Sequence, residues 1–217
     1  MKILVSGFEP FGDSNLNPSQ ELVNALPDSM EDIQIIKIIL PVDQALAPSA
    51  LLNSVHHHLP EAVLSFGLAE GRAKISLERV ALNLCNFNIP DNKGVIITDQ
   101  AVIEGGPAAY FSTLPVNAIL AELLAKGIPA DTSLTAGTFL CNQVFYALLH
   151  EIISTQLAIR AGIIHLPALP EQAAKSNKPI PSLSLDIEIQ AAKTIISQLQ
   201  KTRGQQFFDL FRKTAND

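Results

Sequence analysis

One cysteine stands where the local chain geometry favours a reactive thiol. Residues 135–146 begin as a Gly-containing turn after an extended run and continue with apolar residues at helical spacing. This pattern predicts a helix with Cys141 in its first turn, where unpaired amide N–H groups and the helix dipole favour a thiolate over a thiol. The thiolate is the nucleophilic form of cysteine. The alternative is that Cys141 is a small buried apolar residue, which is the commoner role of a free cysteine.

A histidine in a matching context follows later in the chain. His165 lies near the C-terminal end of an extended run at residues 159–166. His150 lies on the predicted helix of Cys141 but is displaced too far along it to reach the sulfur, at a rise of about 1.5 Å per residue. The run at residues 56–58 is metal-like in composition, but consecutive helical residues do not share a face, so no metal site is predicted. The sequence therefore indicates His165 as the partner of Cys141.

An acidic residue, Glu78, falls in step with apolar side chains. The segment around it alternates like a strand but changes phase, and Glu78 is in register with Val80 and Leu82. A carboxylate in that position is partly buried and needs a partner. The alternatives to a functional role are a bulge or a salt bridge to Arg79 or Lys74.

Strands alternate with helices along the chain. The predicted strands are residues 2–6, 33–40, 62–66, 95–98, 132–134 and 159–166, and the predicted helices begin at Pro18, Pro48, Pro115 (capped by Ser112 or Thr113), Leu140 and Ser182 or Ser184. This alternation predicts an α/β fold, a single three-layer αβα domain at residues 1–203 with a mostly parallel, twisted central sheet. Residues 204–217 are predicted to form an amphipathic C-terminal tail.

The residues that could do chemistry lie at or near the ends of predicted strands. In open α/β sheets, ligand groups lie beyond the C-terminal ends of the strands. Gly7 and Gly67 are predicted to terminate strands, and Phe8, Cys141 and His165 all lie at or just after strand ends. These groups are therefore expected to converge on one edge of the sheet.

Composition restricts the class of function and partner. The net charge of −6 over 217 residues argues against nucleic acid or an anionic membrane as partner. The two cysteines, Cys85 and Cys141, form no disulfide framework, which predicts a cytoplasmic protein. No run of 18 apolar residues predicts a transmembrane helix, and the N-terminal segment lacks the pattern of a signal peptide.

Several separated motifs occur together and in a fixed order. They read S-G-F-E-P-F-G (6–12), N-P-S (17–19), G-R-A-K-I-S-L-E-R-V-A-L-N (71–83), I-P-D-N-K-G (89–94), E-G-G-P-A-A-Y-F-S-T-L-P (104–115), A-G-T-F-L-C-N (136–142) and I-H-L-P-A-L-P-E-Q (164–172). In this combination the chain resembles the pyroglutamyl peptidase I (pyrrolidone-carboxylate peptidase) family of cysteine peptidases. The resemblance covers most of the chain and ends near Lys201.

The resemblance implies a phosphorylase/hydrolase-like fold and a specific reaction. Family members are cysteine exopeptidases (omega peptidases) that hydrolyse the amide bond after an N-terminal pyroglutamyl residue through a Cys-His-Glu triad and a thioester acyl-enzyme. By position, the nucleophile falls on Cys141, the general base on His165 and the orienting carboxylate on Glu78. The oxyanion would meet the backbone N–H of Cys141 and one from the segment around Asn88. Neither a metal nor a cofactor is expected.

The resemblance also implies a recognition pocket for the pyroglutamyl ring. Phe8, Phe11, Phe139 and Leu140 match wall positions, and Asn17 matches a polar contact. A flat, uncharged lactam needs apolar walls and a few hydrogen-bonding groups. The alternatives are that the phenylalanines only pack the first loop and that Asn17 only caps a helix.

Further expectations concern the partners and the assembly of the protein, and some residues depart from the family pattern. The partners are expected to be peptides with N-terminal pyroglutamate, and the enzyme is expected to be a homo-oligomer, a tetramer or a dimer. Residues 86–88 read Asn-Phe-Asn where the family usually has Asp-Ala-Arg, and Glu70 replaces a small residue or Pro. The competing hypotheses are a nucleoside phosphorylase-like enzyme and a binding protein that kept the scaffold without the activity.

Overall fold

The structure, a computed structural model, describes residues 1–204 of the chain. It contains two sheets and six helices within those residues. The strands are β1 (Lys2–Phe8), β2 (Ser29–Met30), β3 (Ile33–Leu40), β4 (Ala62–Leu68), β5 (Ile75–Glu78), β6 (Val80–Leu82), β7 (Ala109–Phe111), β8 (Ala130–Ser133) and β9 (Arg160–Leu166). The helices are α1 (Pro18–Ala25), α2 (Leu46–His58), α3 (Val116–Ala125), α4 (Leu140–Ser154), α5 (Pro170–Lys175) and α6 (Leu185–Lys201).

The main sheet has seven strands in the order β2-β3-β1-β4-β9-β5-β8. Its four central strands, β3, β1, β4 and β9, are parallel to one another. β5 is antiparallel to β9, and β8 is parallel to β5, so one side of the sheet runs in the opposite direction. β2 is a short antiparallel edge strand. The predicted α/β fold with a mostly parallel central sheet is therefore confirmed.

Each face of the sheet is covered by helices, which produces two separate cores. Alternating strand residues point to opposite faces, so neighbours such as Val63 and Leu64 belong to different cores. One core packs α1, α3 and α6 against the sheet, and the other packs α2 and α4. Because both faces are buried, the central strands read as nearly continuous apolar runs, as expected for covered parallel strands.

Helix α1 begins as its sequence predicts. The side chain of Asn17 accepts a hydrogen bond from the amide of Ser19, and Pro18 occupies the first helical position. Proline fits there because its missing N–H would have no intrahelical partner. Leu22 and Val23 are buried against the sheet.

Several local predictions are wrong. Gly7 and Gly67 do not end their strands, which continue to Phe8 and Leu68. Residues 95–98 form no strand. The hydroxyls of Ser112 and Thr113 do not cap α3, because both bind the backbone of Ala161 on β9 instead. Strands β2 and β7 and helix α5 were not predicted.

The phase change after Glu78 marks a change of sheet. β5 ends at Glu78, and β6 pairs with β7 in a separate two-stranded sheet. Between them the amide of Arg79 donates to the carbonyl of Ser133 on β8, and the carbonyl of Arg79 accepts from the amide of Ser112 after β7, so this residue joins the two sheets. Glu78 therefore lies at the end of a strand rather than within a continuous one.

The predicted division between a domain at residues 1–203 and an amphipathic tail at residues 204–217 stays a prediction. Beyond Gly204, the tail lies outside the described residues.

Candidate active site

The loop before α4 aims the helix N-terminus at an open cleft. Gly137 adopts a positive φ of 77°, which glycine tolerates without strain. Thr138 and Asn86 exchange two hydrogen bonds: Thr138 Oγ1 donates to the Asn86 carbonyl at 2.7 Å, and the Asn86 amide donates to the Thr138 carbonyl at 3.0 Å. Cys141 is the second residue of the helix, so its own amide N–H lies in the unpaired first turn.

A buried amide side chain anchors the start of α4 to the second sheet. Asn142 is fully buried, and its Oδ1 accepts a hydrogen bond from the amide of Leu82 at 2.8 Å. Its Nδ2 donates to the carbonyls of Leu82 and Leu84, each at 2.9 Å. These three hydrogen bonds fix the first turn of α4, which contains Cys141, relative to β6.

His165 and Glu78 meet across an antiparallel strand pair. His165 on β9 is the register partner of Ser76 on β5, so Glu78 is its diagonal neighbour on the same face. The Nδ1 atom of His165 lies 2.7 Å from Oε1 of Glu78. Both side chains are buried, at 5% and 0% exposure respectively. The carboxylate therefore fixes the ring orientation and directs Nε2 away from itself.

The sulfur of Cys141 lies on the other side of the same imidazole. Cys141 is among the neighbours that raise the pKa of His165. A Cβ atom placed on Gly67 of β4 would lie 2.8 Å from Cys141 Sγ and 3.6 Å from His165 Nε2, so the absent side chain leaves room for this contact. The structure thus brings together Cys141, His165 and Glu78, as the sequence predicts.

Burial and the neighbouring charges shift the pKa of Glu78 in opposite directions, and the same is true of His165. Burial raises the pKa of Glu78, but hydrogen bonds and charge from His165, with weaker contributions from Ser133 and Arg72, bring it below its usual value. Burial lowers the pKa of His165, but the hydrogen bonds to Cys141 and Glu78 and their charges raise it to about 9. Cys141 and Glu78 therefore favour the protonated imidazole, which is the form that can give a proton to a leaving group.

The partner of Glu78 beyond His165 is neither Arg79 nor Lys74. Arg72 approaches it instead, with Nη1 at 2.6 Å from Oε1. Its second guanidinium nitrogen, Nη2, lies 3.3 Å from the carbonyl oxygen of Thr135, in the loop before α4.

A cleft of about 810 Å³ opens above this group. Phe8, Phe11, Phe139 and Leu140 line it together with Cys141. Phe8 and Leu140 are almost completely buried, whereas Phe11 and Phe139 are partly exposed to the cleft. His165, Asn17 and Asn88 also line the cleft, while Glu78 lies behind His165.

The side chain of Asn17 is largely committed to structure. Its Oδ1 accepts hydrogen bonds from the amide and the hydroxyl of Ser19, and its Nδ2 donates to the carbonyl of Glu9 at 2.9 Å. The helix-capping role is therefore present. One N–H of the amide remains uncommitted among the described residues.

Four residues of the site escaped the sequence analysis. Arg72 and Gln172 line the cleft, and both lie inside motifs that were recognised for other reasons. Phe87 is buried with its ring centroid 4.6 Å from that of Phe139, and the departure at residues 86–88 was its signal. Gly67 carried no signal beyond being a glycine after an apolar run.

The remaining candidates do not join the site. His56 lies 3.1 Å from Glu151, and His150 Nδ1 lies 2.9 Å from the hydroxyl of Tyr110.

Within residues 1–204, no group of three or more His, Cys, Asp or Glu side chains could hold a metal. In that same part of the chain, every helix is too short or too polar to cross a bilayer. Burial raises the pKa of the Cys85 thiol to about 11, which makes this thiol a poor nucleophile at neutral pH.

The geometry agrees with comparisons to known proteins. The sequence pattern of the pyroglutamyl peptidase family matches residues 1–202. The chain belongs to the pyroglutamyl peptidase family. A pyrrolidone-carboxylate peptidase of Vibrio vulnificus is 47% identical over 183 residues, which cover 84% of this chain and 85% of that protein.

Solved structures of the family share the fold. Pyroglutamyl peptidase I of Bacillus amyloliquefaciens superposes with a TM-score of 0.87 at 40% identity, covering 91% of this chain and 93% of that one. Pyrrolidone carboxyl peptidase of Pyrococcus furiosus gives a TM-score of 0.90 at 38% identity, covering 93% and 99%. Family membership therefore rests on both sequence and fold.

Proposed function

We propose that this chain is a cysteine exopeptidase that removes N-terminal pyroglutamate from peptides. The observation that carries the proposal is the position of Cys141 and Glu78 on either side of His165 at the base of an apolar cleft, in a member of the pyroglutamyl peptidase family. In the proposed triad Cys141 is the nucleophile, His165 the general base and acid, and Glu78 the orienting carboxylate.

The first half of the reaction forms a thioester. Nε2 of His165 takes the thiol proton of Cys141 as the sulfur attacks the carbonyl carbon of the pyroglutamyl residue. The C–N bond then breaks, and His165 delivers its proton to the leaving amine. Glu78 holds the ring through Nδ1 throughout, so the same nitrogen faces both the sulfur and the leaving group.

The second half regenerates the enzyme. Neutral His165 takes a proton from a water molecule, whose oxygen attacks the thioester carbonyl. The C–S bond breaks, the sulfur leaves as thiolate beside protonated His165, and pyroglutamate leaves as the free acid. The electron pair of the broken bond returns to sulfur, so no external reductant is needed.

Backbone amides would stabilise the oxyanion in both halves. The amide of Cys141 lies in the unpaired first turn of α4, where the helix dipole also favours negative charge. Asn88 lines the same cleft, and its amide N–H forms no hydrogen bond within residues 1–204. We assign these two N–H groups as oxyanion donors.

The cleft walls suit a neutral lactam ring. We assign Phe8, Phe11, Phe139 and Leu140 as ring contacts because they combine apolar surface with positions around Cys141. The uncommitted N–H of Asn17 would donate to the ring carbonyl. A prolyl residue has the same ring size but a charged nitrogen and no ring carbonyl, so it should be rejected.

The proposal extends to assembly and location. The enzyme is expected to be a cytoplasmic homo-oligomer, a tetramer or a dimer, which size-exclusion chromatography with light scattering measures directly. Turnover is expected to be unaffected by chelators, because the proposed chemistry requires no metal.

The decisive experiment compares two fluorogenic amides and two cysteine variants. The wild type should hydrolyse the pyroglutamyl amide and not the prolyl amide. Cys141→Ser should lose turnover with its fold retained by circular dichroism, whereas Cys85→Ala should keep it. Unchanged hydrolysis by Cys141→Ser would refute the assignment, and a correctly folded wild type with no turnover would favour a binding protein.

The phosphorylase-like alternative receives no support from the cleft. Among the described lining residues Arg72 is the one Lys or Arg side chain, and its guanidinium is bound to Glu78. A phosphate site of this kind would need cationic side chains that are free to bind the anion.

A further inference from the structure

Arg72 links the buried end of the proposed triad to the open cleft. It lies on the loop between β4 and β5, where a turn is closed by a hydrogen bond from its amide to the carbonyl of Ala69. Its side chain is 32% exposed, whereas the Glu78 side chain it contacts is completely buried. The guanidinium thus reaches from the cleft wall to a carboxylate that solvent does not touch.

One oxygen of Glu78 carries both of its strong contacts. Nδ1 of His165 lies at 2.7 Å and Nη1 of Arg72 at 2.6 Å, both from Oε1. Within the described part of the chain Oε2 is buried and has no hydrogen-bond partner. A buried carboxylate keeps its charge only when a cation compensates for the lost hydration. The charge of Glu78 therefore depends on these two cations, with a further contribution from Ser133.

Of the two cations beside Glu78, His165 changes its protonation state during the proposed reaction and Arg72 does not. His165 gives up a proton each time it protonates the leaving amine. A guanidinium remains protonated throughout. When His165 is neutral, Arg72 is the cation that remains beside Glu78.

Loss of the charge on Glu78 would change the tautomer of His165. A protonated Glu78 can donate to Nδ1, which then places the ring proton on Nε2. In that state Nε2 faces Cys141 as a donor and can no longer accept the thiol proton or a proton from water. A constant positive charge beside Oε1 prevents this state.

A second contact of Arg72 reaches the nucleophile's own loop. Nη2 lies 3.3 Å from the carbonyl oxygen of Thr135, six residues before Cys141. The same side chain therefore joins the end of β5 to the loop that leads into α4, which carry the carboxylate and the sulfur respectively.

We propose that Arg72 is a positioning residue that keeps Glu78 ionised while His165 cycles between its two protonation states. The proposal rests on the proposed function for its catalytic consequence. It makes Arg72 part of the machinery without contact to the reacting atoms.

The test compares Arg72→Ala with Arg72→Lys and with Arg79→Ala as a matched control. Arg79 carries the same charge and is adjacent to Glu78 in sequence, but within residues 1–204 it forms no ion pair with it. Arg72→Ala should lower kcat roughly 10-fold to 100-fold with little change in KM, as expected for a displaced catalytic group. The acid limb of its kcat/KM profile should move to higher pH. Arg72→Lys should retain more activity, and Arg79→Ala should match the wild type.

Chemical rescue gives a readout that a merely structural role would not produce. Because Arg72 is partly exposed to the cleft, removal of its side chain leaves a route for a small cation. Guanidinium chloride at millimolar concentration should restore part of the kcat of Arg72→Ala and should not activate the wild type. Unchanged kcat and acid limb in Arg72→Ala, or a loss of kcat with neither a shift nor rescue, would overturn the proposal.

The rate of Cys141 alkylation separates this proposal from the proposed function. Iodoacetamide labelling, followed by peptide mass spectrometry as a function of pH, requires no substrate turnover. In Arg72→Ala the labelling of Cys141 should decline at a higher pH than in the wild type, because neutral Glu78 no longer supports the imidazolium. An inactive wild type that still shows this shift would refute the peptidase but not the role of Arg72; identical labelling profiles would refute the role itself.

Discussion

Gly67 and His165 are register partners on the adjacent parallel strands β4 and β9. Lateral partners in a sheet point to the same face, so a side chain at residue 67 would occupy the space beside the imidazole. The sulfur of Cys141 uses that space instead, 2.8 Å from where a Cβ would be. Because Gly67 has no side chain, the N-terminus of α4 can approach the sheet closely at this point.

The added Cβ atom of Gly67→Ala should disrupt the site. A carbon 2.8 Å from Sγ forces the helix or the strand to shift, and such overpacking costs about 1–3 kcal/mol in the free energy of unfolding. The variant should also lose most of its kcat. Thermal unfolding of Gly67→Ala in the wild-type and Cys141→Ala backgrounds checks the mechanism. The destabilisation should be much smaller without the sulfur; an equal cost in both backgrounds would contradict it.

The pH dependence of turnover should report the imidazolium. Burial lowers the pKa of His165, but Cys141 and Glu78 raise it to about 9, so the ring keeps the proton needed by the leaving amine up to that pH. The alkaline limb of kcat/KM is expected near pH 9. Glu78→Gln removes one of the charges that raises this pKa, and its alkaline limb should lie at lower pH. Coincident limbs in the two proteins would exclude this account.

Glu188 should make the fold less stable as pH rises. It is completely buried on α6, both carboxylate oxygens lack a hydrogen-bond partner within residues 1–204, and burial raises its pKa from 4.5 to about 8. Between those two values the folded chain holds a proton that the unfolded chain has lost, so the free energy of unfolding falls with increasing pH. Below pH 4.5 and above pH 8 this group contributes no slope.

Glu188→Gln should remove most of that dependence. The variant should be more stable than the wild type at pH 9 and should differ much less from it at pH 5, as measured by urea unfolding. Asp186→Asn removes an exposed carboxylate from the same helix and should preserve the wild-type slope. A wild-type slope in Glu188→Gln would show that the carboxylate is not the source.

Phe87 should support the cleft wall from behind. Its ring packs against Phe139 in an edge-on contact, and Phe139 in turn contacts Phe11 with ring centroids 6.1 Å apart. Phe87→Ala should lower the free energy of unfolding by about 3 kcal/mol. It should also raise KM for a pyroglutamyl amide more than it lowers kcat. Phe87→Leu should show smaller effects of the same sign, and an unaltered KM in Phe87→Ala would separate this ring from substrate binding.

The sequence was informative where the determinant was local. The helical spacing after residue 139 and the strand ending near His165 follow from apolar periodicity and turn residues, and both were predicted within a few residues. The cap at Asn17 likewise depends on its immediate neighbours. The family motifs then predicted Cys141, His165 and Glu78 as a triad, and their catalytic roles stay a prediction.

Contacts that depend on strand order could not be read in this way. β5 runs opposite to β9, and only that pairing makes Glu78 the diagonal neighbour of His165 and places Arg72 rather than Arg79 beside it. Gly67 resembled a strand terminator because its partner, Cys141, is remote in sequence. Ser112 and Thr113 resembled helix caps because the strand that uses their hydroxyls, β9, comes later in the chain.

The position of β9 in the sheet has a consequence for biosynthesis. β9 lies between β4 and β5, yet it is the last strand in sequence among residues 1–204. A ribosome-bound chain that stops before Arg160 already contains Cys141 and Glu78 but lacks the imidazole that lies between them. Cys141 therefore has no imidazole partner until residue 165 has been synthesised, and the strand that fills the centre of the sheet is the one that supplies it.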